Sequence, residues 1–237
     1  MKKKLSIIIP ARNEEKSILK VLEYLKKTVK TPYEIIVVND RSADNTELIV
    51  KKYSIKNKSV LFTNTKGRYG FSNAIKEGLK KSSTDIVVIV MADLCDDPKT
   101  IDQMYKTLTE GWDIVCGTRY NMGGKKLGGP KIQNFFSALV CKSLYYIIAL
   151  PTTDASNSFK MFRKKVFKSI NYKDGMGVEA SLDLILRAYF RGYKITEIPT
   201  TWKGRVVGQS KFRLFERSPR YIRIYSWALI RHFQRYL

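Results

Sequence analysis

The 237-residue chain carries 44 Lys and Arg against 21 Asp and Glu, a formal charge of +23, and 44% of its residues are apolar. That apolar share is enough for a packed core and excludes general disorder. No uninterrupted apolar run reaches the roughly 18 residues needed to span a bilayer. The charge points to polyanions (nucleic acid, anionic lipid headgroups or phosphorylated small molecules) or to simple solvation of a lysine-rich surface.

In chain order, residues 5–10 form a β-branched run ending at Pro10, which reads as a buried strand and not as the core of a signal peptide. Residues 13–27 follow with Leu19, Leu22 and Leu25 at helical spacing, and Asn13 is the expected N-cap with Glu14 and Glu15 in the first turn. A strand at 34–38, a helix capped by Ser42 or Asp44, a strand at 60–62 and a helix at 71–81 come next. Residues 85–91, Asp85 followed by six apolar side chains, read as apolar on both faces, as a central parallel strand is. Pro98 opens another helix and 112–117 gives a further strand. This alternation predicts an α/β fold with a doubly wound, mostly parallel, Rossmann-like sheet, whose ligands bind at the carboxyl ends of the strands.

The remainder is patterned differently. Residues 130–150 carry Ile132, Phe135, Phe136, Leu139, Val140, Leu144, Ile147 and Ile148 at helical spacing, as a core helix or an interfacial one would. A short strand at 158–163, a helix at 179–191 and a strand at 194–198 follow. The expected organisation is one domain over 1–212 with a basic amphipathic helix at 213–237. Its arginines beside Trp227, Ile222, Ile224 and Leu229 suit the plane of an anionic membrane surface. Cys95, Cys116 and Cys141 are odd in number and lack metal-site spacing, so free thiols in a reducing, cytoplasmic compartment are expected. His232 is the only histidine, which argues against a Ser-His-Asp triad and leaves carboxylates, hydroxyls and cations to carry any chemistry. No helix-turn-helix, zinc-finger or RNP-like signature supports a nucleic-acid partner.

Two acidic clusters follow strands, at 38–46 and at 91–98. Asp44 and Asp97 read as helix caps, whereas Asp40 and Asp93 stand too early to cap and are free to meet a base, a ribose or a cation that bridges phosphates.

The motifs Ile-Ile-Pro-Ala-Arg-Asn-Glu-Glu (8–15), Val-Asn-Asp-Arg-Ser-Ala-Asp-Asn-Thr (38–46), Met-Ala-Asp-Leu-Cys-Asp-Asp-Pro (91–98) and Gly-Thr-Arg-Tyr (117–120) resemble family 2 glycosyltransferases of GT-A fold. Matches at 153–160, 197–202 and 204–212 extend the resemblance over nearly the whole chain, closest to dolichyl- and polyprenyl-phosphate mannose synthases. The resemblance implies that Pro10, Ala11, Arg12, Glu14, Val38, Asp40, Ala92 and Asp93 meet a nucleotide-activated sugar. It also implies that Arg205 and Lys211 sit on a loop closing over the diphosphate. Asp93 and Arg205 would be catalytic, Asp93 and Cys95 would meet Mg²⁺ or Mn²⁺, and Arg119, Gln133 and Ser137 would bind the acceptor. The sequence departs from the pattern at Met91, which stands at the first position of Asp-x-Asp, so that Asp93 is left to hold a cation with Asp96 or with ligand oxygens and water. It departs again at Gln133, where the lipid-phosphate synthases often carry Arg.

The implied reaction is an inverting hexose transfer from a GDP- or UDP-linked sugar to a polyprenyl or dolichyl phosphate at the cytoplasmic face of a membrane. Two alternatives stay open: a catalytically impaired sugar-nucleotide-binding protein, suggested by Met91, and a transferase using a hydroxyl acceptor. The latter needs a general base, for which Asp154 and Glu179 are candidates.

Overall fold

A computed structural model describes residues 3–170, 172–173, 175–205 and 214–235, with side chains of 214–217 left aside. A seven-stranded sheet organises the molecule. It is built from β1 (Leu5–Ala11), β2 (Tyr33–Asn39), β3 (Val60–Asn64), β4 (Ile86–Ile89), β5 (Ile114–Thr118), β7 (Lys160–Arg163) and β8 (Ile195–Pro199). Their spatial order is β3-β2-β1-β4-β7-β5-β8. A two-stranded parallel ribbon pairs β6 (Lys125–Leu127) with β9 (Thr201–Lys203).

The sheet has a helical layer on each face because its central strands are apolar on both. Ile8 points to one side, with α3 (Phe71–Lys81), α5 (Lys131–Ile148), α7 (Ala180–Phe190) and α8 (Leu214–Phe233). Ile7 and Ile9 point to the other, with α1 (Ile18–Thr28), α2 (Thr46–Lys56) and α4 (Ile101–Thr109). All four residues of β4 are buried, as expected for a strand covered on both faces. The chain leaves β1 toward β2 and β3 and returns to pair β4 on β1's other edge, which opens a crevice at the carboxyl ends of β1 and β4.

Several expectations need correction. The first helix begins at Ile18 with Ser17 at its N-cap, and Asn13 does not cap it. Asn13 sits at φ 53°, in the left-handed region that Asn tolerates, and its Oδ1 accepts the Ala43 N–H. The second helix has Asn45 at its N-cap position, but the Asp44 carboxylate accepts the Thr46 N–H. Asp97 caps a 3-10 turn, Pro98–Thr100, through the Lys99 N–H. The strand at 158–163 inserts antiparallel between β4 and β5, so the sheet is mixed. The β6–β9 ribbon and a short helix α6 (Lys164–Ser169) have no counterpart in the sequence reading.

Candidate active site

At the carboxyl edge the backbone sets the geometry. The Asp40 N–H donates to the Ala11 carbonyl (2.8 Å), tying the ends of β1 and β2 together. The Asp40 carboxylate accepts the Gly70 N–H through both oxygens, at 3.1 and 3.0 Å. Gly70 stands at the N-cap of α3 at φ 132°, and a Cβ there would lie 3.1 Å from the Met176 carbonyl oxygen. Only glycine meets both demands.

Across the crevice, the bend after β4 is shaped by its own carboxylates. Asp93 Oδ1 accepts the Cys95 N–H (3.1 Å) and Asp96 Oδ2 accepts the Met91 N–H (2.9 Å). Burial, reinforced by the neighbouring Asp93 charge, pushes the Asp96 carboxyl up to about 7. The Cys95 thiol is buried and its pKa is raised far above the usual range, chiefly by desolvation and then by Asp93. Mg²⁺ and Mn²⁺ favour oxygen over thiol ligands.

Arg205 joins the two sides. Its Nη2 lies 2.8 Å from Glu14 Oε1 and 3.3 Å from Asp93 Oδ2, and these partners raise its pKa against the opposing effect of burial. Glu14 is itself fixed, its second oxygen accepting the Ser17 hydroxyl at 2.9 Å. Arg205 is delivered by β9: the Lys203 N–H reaches the Cys95 carbonyl (2.9 Å) and the Gly204 N–H reaches the Leu127 carbonyl (2.6 Å). A Cβ on Gly204 would lie 2.8 Å from the Gly129 nitrogen, so the close approach requires glycine.

Toward α5, Arg119 forms a bidentate pair with Asp154, Nε to Oδ2 at 2.6 Å and Nη2 to Oδ1 at 2.7 Å. The Tyr120 hydroxyl donates to Ser137 Oγ (3.1 Å), which meets Ser156 Oγ at 3.0 Å. Lys126 Nζ donates to Tyr120 Oη at 3.1 Å.

One cleft of about 830 Å³ joins these groups. Its walls include Pro10, Ala11, Arg12, Glu14, Asp40, Asp93, Cys95, Arg119, Gln133, Ser137 and Arg205, so most of the residues singled out in the sequence converge. Val38 and Ala92 do not reach the cleft, because both side chains pack in the core. Lys211 lies outside the described residues. Asp154 and Glu179 are fully buried and engaged by Arg119 and Arg220 respectively, as structural carboxylates are. Lys126, Trp202, Ser156 and Tyr221 also line the cleft and escaped the sequence reading. Lys126 and Trp202 belong to strands three residues long, too short to show a period, although Trp202 lay within a matched motif.

Among the described residues, no three His, Cys, Asp or Glu side chains gather as a metal cage. Asp93 alone presents a carboxylate to the cleft on the β4 side, since the buried Asp96 does not line it. One carboxylate fits Mg²⁺ or Mn²⁺ where a diphosphate and water complete the shell.

The sequence profile of glycosyl transferase family 2 matches residues 6–170. The chain belongs to this family. Among family 2 relatives, a dolichol-phosphate mannosyltransferase of Pyrococcus furiosus is 29% identical over 234 residues, covering 94% of this chain and 64% of that protein. An undecaprenyl-phosphate 4-deoxy-4-formamido-L-arabinose transferase of Proteus mirabilis is 35% identical over 120 residues, 49% of this chain and 36% of that one. The chain thus spans less than two thirds of the length of these relatives. Glucosyl-3-phosphoglycerate synthase of Mycobacterium tuberculosis, crystallised with Mn²⁺, UDP and glucosyl-3-phosphoglycerate, superposes with a TM-score of 0.73. That match has 20% identity and covers 97% of this chain and 80% of the other. The fold of this family 2 chain is GT-A.

Proposed function

We propose that this chain transfers a hexose, with inversion, from a GDP- or UDP-linked sugar to a phosphate acceptor carried by a polyprenyl lipid. The observation that carries the reading is the meeting of Asp40, Asp93, Glu14 and Arg205 on one cleft at the strand ends. In this reading Asp40 and the end of β1 hold the nucleoside. Asp93 and the donor's own oxygens would hold Mg²⁺ or Mn²⁺, which supplies charge to the departing diphosphate. Arg205, already beside Asp93, stabilises the same developing charge, and Lys211 is assigned to the same task from the sequence.

The acceptor side of the cleft supports a phosphate nucleophile. A phosphate is ionised at neutral pH and needs no base, whereas a hydroxyl acceptor does. Both carboxylates considered for that role are consumed by structural pairs. The curated relatives are named for dolichol phosphate and undecaprenyl phosphate, which favours a lipid carrier.

A membrane-surface location, at a cytoplasmic face, belongs to the same proposal. Ile132 (66% exposed), Phe135 (64%) and Tyr146 (78%) on α5, and Ile222 (63%) on α8, are left uncovered. Lys131, Lys142, Arg223 and Arg231 are exposed on the same two helices. Apolar side chains flanked by cations match an anionic lipid interface, and no helix among the described residues is long and apolar enough to cross a bilayer.

A thermal-shift screen of GDP- and UDP-sugars with and without Mn²⁺ tests the donor assignment, because a ligand selective for the native state raises its Tm. Release of nucleoside diphosphate that requires polyprenyl phosphate then tests the transfer. Met91 favours one second reading, a sugar-nucleotide binder without turnover. In that case the Tm shift persists and the release is absent.

A further inference from the structure

The acceptor side of the cleft has a charge deficit. Arg119 is neutralised by Asp154, with side chains 9% and 0% exposed, and Gln133 carries no charge. The residues expected from the sequence to bind an acceptor phosphate, Arg119, Gln133 and Ser137, therefore bring no net positive charge to it. Lys126 lies on the same wall with no carboxylate paired to it among the described residues. It is held between two rings, 5.6 Å from the Tyr120 centroid and 5.4 Å from that of Trp202. One of its three N–H donors goes to Tyr120 Oη, leaving two for a ligand.

We infer that Lys126 is the cation that binds the acceptor's phosphate, with Ser137 and Ser156 as its hydroxyl partners at the end of the Lys126–Tyr120–Ser137–Ser156 chain. The inference rests on the phosphate-acceptor reading above and assigns it a residue on the β6–β9 ribbon. The chemistry recognised is a phosphomonoester anion, whether a lipid headgroup or a soluble phosphate.

The surroundings of Lys126 favour a ligand that brings negative charge. Burial, then the Arg119 charge, lowers its pKa to about 8, with Asp154 and Cys141 opposing. Tyr120 and Trp202 are the other groups facing it, and neither supplies a carboxylate. As pH rises through 8 the empty site loses its ammonium and with it affinity for an anion. A bound phosphate favours the charged form, so binding above pH 8 takes up a proton.

Isothermal titration of the full chain with farnesyl phosphate, farnesol, inorganic phosphate, UDP and GDP tests this. Wild type should bind farnesyl phosphate more tightly than farnesol, and Lys126→Met should weaken that binding roughly 10- to 100-fold. Farnesol and nucleotide binding should not change, which separates a lost contact from a lost fold. Lys126→Arg should restore binding and abolish the decline above pH 8, because a guanidinium stays charged. Equal farnesyl phosphate affinity in Lys126→Met and wild type overturns the inference and leaves the phosphate-acceptor reading standing. Wild type that does not distinguish farnesyl phosphate from farnesol overturns both. Inorganic phosphate bound as tightly as farnesyl phosphate, and lost in Lys126→Met, supports the Lys126 site with a soluble phosphomonoester as its source.

Discussion

The Arg205 guanidinium bridges Glu14 and Asp93, 2.8 Å from one carboxylate and 3.3 Å from the other. A cation drawn to Asp93 must share it with a charge already present. Arg205→Gln should therefore bind Mn²⁺ more tightly than wild type without nucleotide, as read by electron paramagnetic resonance of free Mn²⁺. Turnover should fall by roughly 10²- to 10³-fold, the effect of losing one preorganised group that stabilises developing charge.

Asp93 carries the complementary prediction. Asp93→Asn retains an oxygen to accept the Cys95 N–H, so its Tm should match wild type. Its metal-dependent nucleoside diphosphate release should be abolished. Full activity in this variant would remove Asp93 from the metal site.

Asp154 answers to stability. Asp154→Ala strands the Arg119 guanidinium in a site where the pair is almost wholly enclosed. Breaking such a pair from one side costs about 3–5 kcal/mol. The corresponding fall in Tm is roughly 6–20 °C for a domain of this size, readable by calorimetry. Losing both charges, as in Asp154→Leu with Arg119→Met, should recover much of it.

The uncovered face of α5 and α8 predicts membrane behaviour. Phe135→Ser and Ile222→Ser remove side chains that are mostly exposed, so neither should lower Tm by more than a few degrees. Each should reduce partition onto anionic vesicles by roughly 10- to 100-fold, the order expected from about 1.5–3 kcal/mol per buried side chain. Unchanged co-sedimentation with vesicles would exclude this face as the contact.

The parallel core was legible because its signal is long and local. Residues 86–91 are apolar without interruption, as a strand covered on both faces requires. The orientation of β7 was not legible, since four residues pattern alike in either direction. Asp40 and Asp93 stood out because they come just after strands, too early for helix capping to account for them. Asn13 misled because a residue suited to N-caps is equally suited to positive φ. Residues 130–150 showed a helical period but not which side faced water. Only Cys141, Leu144 and Ile148 of α5 are buried, and Ile132, Phe135, Phe136, Leu139 and Tyr146 face outward. Lys126 was invisible for another reason: its role depends on the rings of Tyr120 and Trp202, which sequence distance does not bring together.

The parallel pairing of β6 with β9 has a mechanical corollary. Lys126 is the register partner of Trp202, and Arg205 stands three residues beyond it on the same short strip of backbone. The strip is pinned to the bend after β4 through Lys203 and to β6 through Gly204. Lys126 and Arg205 therefore take their places from the same strip, so the spacing between the two cations is set by one piece of backbone.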